Sequence, residues 1–197
     1  ENLDIRTKES APQYLIEDVK ATLDSTSFTL DGVRYSASIL GEFNAMNLAA
    51  AVLIAKKLGL TDEEIQEGLS TLKAVDHRLQ RIDAGGKVIL DDSFNGNIDG
   101  MMASFDLATT YEGRKVLITP GLVEVDDALN VQVAQRANDV FDLVVITGDL
   151  NYGIFKDHVE ADKLVKLASK GEMETMLVEQ TRPGDLVLFA NDAPSFV

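Results

Sequence analysis

The chain has no cysteine, no tryptophan, four prolines and two histidines in 197 residues. Without thiols there is no disulfide, no cysteine nucleophile and no thiolate metal site, and the redox compartment is left open. His77 and His158 have no cysteine or second histidine nearby to make a metal site. Basic residues are few: 18 Lys and Arg against 33 Asp and Glu give a net charge of −15. That argues against a sequence-independent nucleic-acid binder, which needs basic surface. No apolar run approaches the ~18–20 residues of a membrane span. The opening Glu1-Asn2-Leu3-Asp4 lacks the basic-then-apolar order of a secretory signal. Gly85-Gly86-Lys87-Val88 is not a phosphate-binding P-loop, because the preceding Gly and the following Ser or Thr are missing. Ser93 lacks the Gly-x-Ser-x-Gly elbow of a hydrolase nucleophile. What remains, 45% hydrophobic and 26% charged residues, is a globular mix sized for one large domain or two small ones. The plain expectation is a soluble cytoplasmic protein of bacterial type. With no initiator Met and a charged opening segment, the chain reads as part of a longer one.

Hydrophobic periodicity divides the chain. Tyr14 to Thr22 and Ser27 to Leu30 read as strands. After the turn Asp31-Gly32, Val33 to Leu40 alternates as the return arm of a hairpin. From Asn44 to Leu58 the period becomes helical, with Leu48, Ala51, Val52, Ala55 and Leu58 expected on one face and Gly59 as the stop. Thr61 and Glu64 form a capping box for a second helix, whose apolar face is Ile65, Leu69 and Leu72. Lys73 to His77 is a break, and the domain boundary is placed there, between 1–77 and 78–197. Leu79 to Ile82 and Lys87 to Leu90 read as a second hairpin around Asp83-Ala84-Gly85-Gly86. Helices at 98–111 and 127–140 then alternate with strands at 115–119 and 143–147. A helical stretch to about residue 170 and strands at 175–178 and 186–190 complete the pattern. The fold expected for 78–197 is α/β: a Rossmann-like, mostly parallel sheet with one antiparallel hairpin. Strands and a helix pair precede it.

Ligands of an open α/β sheet bind beyond the carboxyl ends of its strands. The segments expected there are Asp91–Asn97, Pro120–Glu124, Gly148–Asn151 and Asn191–Ala193. In the first, two carboxylates end a strand and Asn95-Gly96-Asn97 leads into a helix. The carboxylates suit ribose hydroxyls or Mg²⁺, and the amides a substrate carboxylate or carbonyl. Equally, Asp92, Ser93 or Asn97 is the ordinary cap of that helix. Asn44 and Asn47 stand three apart at the start of an apolar helix and can face one way. Asn44 has a capping alternative; Asn47 lies inside the helix, where Asn is disfavoured. Arg78 at the break either clamps a phosphate or pairs with a surface acid.

Three segments carry a resemblance. Gly41-Glu42-Phe43-Asn44-Ala45-Met46-Asn47-Leu48-Ala49-Ala50 resembles the Gly-x-His-Asn-x-x-Asn-x-x-Ala motif that closes the central domain of Mur ligases. His77-Arg78-Leu79 and Asp91-Asp92-Ser93-Phe94-Asn95-Gly96-Asn97 resemble the Gly-Arg-Leu and Asp-Asp-Ser-Tyr-Asn-Ala-Asn motifs of the D-alanyl-D-alanine-adding (MurF) branch. Each is weak alone; three in order over about 55 residues are specific. The Asn-Asp-Ser-Lys-Ala-Thr-Asn of the D-glutamate-adding branch, the Asp-Asn-Pro-Arg of the diaminopimelate-adding branch and the Asp-Gly-Ala-His-Asn-Pro of folylpolyglutamate synthetases are absent.

The resemblance implies that residues 1–77 are the C-terminal portion of a central ATPase domain and 78–197 the C-terminal ligase domain. It implies that ATP is contacted by Asn47 at the adenine, with Asn44 in support, by Arg78 at the phosphates and by Asp92 at the ribose. It places Asn95, Asn97, Asn191 and Asp192 near D-Ala-D-Ala, the other substrate being UDP-N-acetylmuramoyl-tripeptide. Mg²⁺ is implied as cofactor, its ligands mainly upstream together with the P-loop and a carbamylated Lys, so that no catalytic residue is expected in this chain. The nucleotide contacts fall on both sides of the 73–77 break, which implies that ATP bridges the two domains. Departures are Phe43 for the motif's His and Ile98 for the usual Pro. Thr119-Pro120-Gly121-Leu122-Val123-Glu124 replaces Gly-Asp-Met-x-Glu-Leu-Gly, and Ala190-Asn191-Asp192-Ala193 replaces Lys-Gly-Ser-Arg. A sister ligase with another amino acceptor, or a non-catalytic α/β binding domain, are the alternatives.

Overall fold

The computed structural model describes residues 3–5, 14–94, 96–123, 125–167 and 169–191. The chain divides into two units, Glu1–Ala74 and Val75–Val197. In the first, β1 (Leu3–Ile5), β2 (Tyr14–Ala21), β3 (Thr26–Leu30) and β4 (Val33–Ala37) form an antiparallel sheet in that order. The β3–β4 turn is Asp31-Gly32, with φ of +52° and +76°, the left-handed pair that matches strand twist in a two-residue hairpin. Helices α1 (Phe43–Lys57) and α2 (Asp62–Ser70) cover the sheet, packing Leu48, Val52, Ile65 and Leu69 against Phe28 and Tyr35.

The inward face of α1 differs from the expected one. Ala45, Leu48, Ala49 and Val52 are buried, whereas Ala51 is exposed and Leu58 is 75% exposed. At roughly 100° per residue, Ala51 and Leu58 lie more than about 100° from the centre of the buried stripe. Because α1 is apolar nearly all round, its sequence left the phase ambiguous. The capping box forms as expected: Thr61 N–H donates to Glu64 Oε2 (2.8 Å) and Glu64 N–H to Thr61 Oγ1 (3.3 Å). Leu72, expected on the inner face of α2, lies beyond its end and is 40% exposed. Gln66 of α2 satisfies the β4 edge, accepting from Ser36 N–H and donating to Ser36 O, both at 3.0 Å.

The second unit runs β5 (Gln80–Ala84), β6 (Lys87–Asp92), α3 (Ile98–Thr109), β7 (Lys115–Thr119), α4 (Asp127–Val140), β8 (Leu143–Thr147), α5 (Tyr152–His158), β9 (Leu164–Leu167), a 3₁₀ turn at Lys170–Glu172, α6 (Met173–Gln180) and β10 (Leu186–Ala190). The sheet order is β5-β6-β10-β7-β8-β9, with β5 antiparallel and every other neighbour parallel. This is the expected α/β sheet with one hairpin member. The hairpin turn is only Gly85-Gly86, both at positive φ, so β5 extends to Ala84.

Two expected elements are corrected. Residues 175–178 are helical, inside α6: Met173, Met176 and Leu177 recur at helical spacing and pack on Val116, Val145 and Val187. The return from edge strand β9 to central β10 is a parallel crossover, which a helix normally supplies. The expected helix to about residue 170 stops at His158, and Leu164–Leu167 is the edge strand β9. A four-residue apolar run does not separate strand from helix by periodicity.

Candidate functional site

The carboxyl ends of β6, β10, β7 and β8 stand side by side. Asp92 and Ala190 are paired in register, so Asn191 emerges beside the end of β6. Asn191 takes left-handed backbone (φ +60°), which Asn tolerates better than other non-glycine residues. Its N–H donates to Asp92 O (3.2 Å) and its Nδ2 to Gly121 O (2.8 Å). It thus ties the β6–α3 loop to the β7–α4 loop.

The Pro120–Leu122 loop is held by side-chain amides. Asn151 Nδ2 donates to Pro120 O (2.8 Å) and Leu122 O (3.0 Å). Asn130, 1% exposed inside α4, accepts from Leu122 N–H (2.8 Å) and donates to Leu122 O (3.0 Å). Gly121 N–H donates to Thr119 Oγ1 (3.0 Å). Gly121 has φ +78°, and a Cβ there would meet Asn130 Oδ1 and Asn151 Nδ2 at 2.7 Å each. Only glycine fits inside this ring of amides. Sequence reasoning held Asn151 only as the last residue of the Gly148–Asn151 segment and missed Asn130. The argument applied to Asn47, that Asn is poor inside a helix, applies equally to Asn130 and would have found it.

The adjacent carboxylates Asp91 and Asp92 are both buried. Asp91 Oδ1 accepts Ser93 N–H (3.1 Å) and Ser93 Oγ–H (2.6 Å), while Oδ2 accepts His77 Nδ1–H (2.8 Å). Asp92 Oδ1 accepts Leu79 N–H (3.1 Å), and Phe94 N–H donates to His77 O (3.2 Å). The segment entering the second unit is therefore stitched to the end of β6. Arg78 is exposed, with its guanidinium 5.3 Å from the Phe94 ring centroid, a cation–π contact. Ser93 gives its proton to a carboxylate and not to an imidazole, so this is not a nucleophile–base pair.

The expected site residues fall as follows. Arg78, Asp92 and Asn191 gather at this edge. Asn97 is the N-cap of α3, its Oδ1 accepting Gly100 N–H at 2.8 Å, which is the ordinary reading of that residue. Asn95 and Asp192 lie outside the described residues. In the first unit, Asn44 and Asn47 face the same way on the first turns of α1: Asn47 Nδ2 donates to Asn44 Oδ1 (3.1 Å) and Asn44 Nδ2 to Leu40 O (2.6 Å). The N-cap position belongs to Glu42. As for Mg²⁺, no group of three or more acidic or histidine side chains among the described residues is arranged to hold a metal. Asp91 and Asp92 already hold His77, Ser93 and the Leu79 N–H, so these residues do not make a resident Mg²⁺ site. No described helix is long and apolar enough to cross a membrane.

No protein-family model matches the chain. It is similar to the UDP-N-acetylmuramoyl-tripeptide–D-alanyl-D-alanine ligases of Bacillus subtilis strain 168, 29% identical over 89% of this chain and 41% of the relative, and of Escherichia coli K12, 32% identical over 72% and 33%. Among solved structures, a MurF ligase from Thermotoga maritima in complex with ADP superposes with a TM-score of 0.72, covering 93% of this chain and 44% of that one at 20% identity. With the three motifs in order, this places the chain in the Mur ligase family. Within the family its likeness is to the ligases that add D-alanyl-D-alanine, and it spans less than half the length of these relatives.

Proposed function

We propose that this chain is the C-terminal part of an ATP-dependent amide ligase that joins D-Ala-D-Ala to UDP-N-acetylmuramoyl-tripeptide in cytoplasmic peptidoglycan synthesis. In this reading residues 1–77 end the central ATPase domain and 78–197 are the C-terminal ligase domain. ATP phosphorylates the tripeptide carboxylate, the dipeptide amine attacks the acyl phosphate, and the tetrahedral intermediate expels phosphate to leave the amide. Asn47, supported by Asn44, serves the adenine; Arg78 serves the phosphates; Asp92 serves the ribose. Their contribution is positioning and neutralisation of phosphoryl charge, not bond-making. Mg²⁺, when bound, would neutralise phosphate charge through ligands other than those described here.

One observation carries the reading. Two motifs that resemble the family's, at 77–79 and 91–97, are separated by a hairpin and fold back onto each other at the carboxyl edge of the sheet. That fold-back sets the exposed Arg78 beside the carboxyl ends of the strands, its guanidinium 5.3 Å from the Phe94 ring centroid. Changing Arg78 to Ala in the ligase extended to include its P-loop should raise KM for ATP roughly tenfold or more, the worth of a charged hydrogen bond. An unaltered KM would remove Arg78 from the nucleotide site.

A sister ligase with another acceptor is the second reading, favoured by the 119–124 loop. Asn97 caps a helix and Asn191 binds Gly121 O, so two of the four residues proposed for the dipeptide already have structural partners.

A further inference from the structure

The turn before β5 takes left-handed backbone twice, at His77, which tolerates it, and at Leu79, which does not. His77 and Leu79, on either side of Arg78, have φ of +63° and +50°, and neither is glycine. The Mur motif quoted above has Gly where this chain has His77. Left-handed backbone at other residues persists only where the surroundings over-determine it. Here the end of β6 and the turn after it supply the determinants: Asp91 holds the His77 ring at 2.8 Å, Asp92 holds the Leu79 N–H at 3.1 Å, and Phe94 N–H donates to His77 O at 3.2 Å. Asp91 is itself fixed, its side chain 2% exposed and its second oxygen bound to Ser93. Glycine would make such a turn through its own freedom and leave it loose. A ring pinned to a buried carboxylate makes the same turn and fixes it.

We propose that His77 is a positioning residue: its pairing with Asp91 locks the 77–79 turn and thereby holds the Arg78 guanidinium over Phe94 at the carboxyl edge of the sheet. That Arg78 there meets nucleotide phosphate rests on the function proposed above; that His77 sets its place does not.

The test begins with side-chain NMR of the 197-residue chain. The Phe94 ring current shifts the Arg78 side-chain protons upfield, and Phe94→Leu supplies the unshifted reference. In His77→Gly, which accepts the turn without strain, the upfield shift disappears while the amide signals of β7 and β8 stay in place. In His77→Asn it is largely retained, since Asn tolerates left-handed backbone and its Nδ2 stands where the imidazole Nδ1 stands. An Arg78 shift that survives in His77→Gly overturns the proposal. In the longer ligase, His77→Gly and Arg78→Ala should each raise KM for ATP, and the double variant no further than Arg78→Ala alone. Additive effects would show that His77 does not act through Arg78. If the longer ligase were indifferent to ATP, the functional reading would fall, and the NMR comparison would still decide the role of His77.

Discussion

Gly121 shows how one residue decides what the carboxyl edge can be. Its carbonyl is bound by Asn191, and the carbonyls on either side of it are bound by Asn151 and Asn130. Substituting Ala places a methyl 2.7 Å from two amide atoms at a φ of +78°. Both partners are held by other bonds and cannot retreat. Gly121→Ala should therefore cost roughly 1–3 kcal/mol as an overpacking change, and the left-handed backbone adds to it. Chemical denaturation of the 197-residue chain measures this; a loss below about 0.5 kcal/mol, the range of neutral surface changes, would mean the loop yields freely. The same residue explains a limit of sequence reading. Pro120–Glu124 was legible as a strand-end segment and as a departure from a motif, but not how Pro120–Leu122 is held, because the amides that hold it come from α4, the β8–α5 loop and the end of β10, far apart in the chain.

Elements whose signals are local were legible. The capping box at Thr61, the Asp31-Gly32 turn, α3, α4 and the strands around them follow from periodicity and turn chemistry a few residues long. Those set by tertiary context were not. Residues 175–178 became helix because the sheet needs a crossover there, and β9 became a strand because β8 had an edge to pair. α1, apolar nearly all round, gave its existence but not its phase. Its last turn also joins a clamp that no local pattern reveals. Tyr35 Oη–H of β4 donates to Asp62 Oδ1 (2.5 Å), and Lys56 Nζ of α1 lies 3.0 Å from the same oxygen.

That clamp has a pH signature. The hydrogen bond from Tyr35, then that from Lys56, holds the Asp62 carboxyl below its ordinary 3.8. Burial, then the bond to Asp62, raises the Tyr35 phenol above 10.0, and the bond to Asp62 raises Lys56 above 10.5. A lowered acid stabilises the fold fully above its unfolded value and loses that contribution as pH falls through the folded one. The raised phenol and ammonium contribute fully below their unfolded values and lose it as pH rises through the folded ones. The stabilising effect of the clamp should thus be flat between about pH 5 and 9 and fall off at both ends. In Asp62→Asn the acid limb should flatten, measured as Tm against pH. An Asp62→Asn curve parallel to the unaltered one would show that the clamp does not bear on stability.

At the scale of the whole molecule, the residues assigned to nucleotide are divided between two units, Asn44 and Asn47 on α1 and Arg78 and Asp92 on the second. The sequence contains no P-loop, so these 197 residues alone should form no amide. The fold class, and with it the edge where the loops gather, was readable because strand–helix alternation dictates where loops gather. The acceptor was less so, since Asn97 caps α3, Asn191 binds Gly121 O, and the Pro120–Leu122 loop is held by amides distant in the chain. The most direct test is ADP release by the P-loop-containing ligase with UDP-N-acetylmuramoyl-tripeptide and ATP, offered D-Ala-D-Ala, D-Glu, diaminopimelate or Lys in turn. The account predicts release with D-Ala-D-Ala alone. Release with a different amine would move the chain to a sister branch, and no release with any acceptor would contradict the assignment as a ligase.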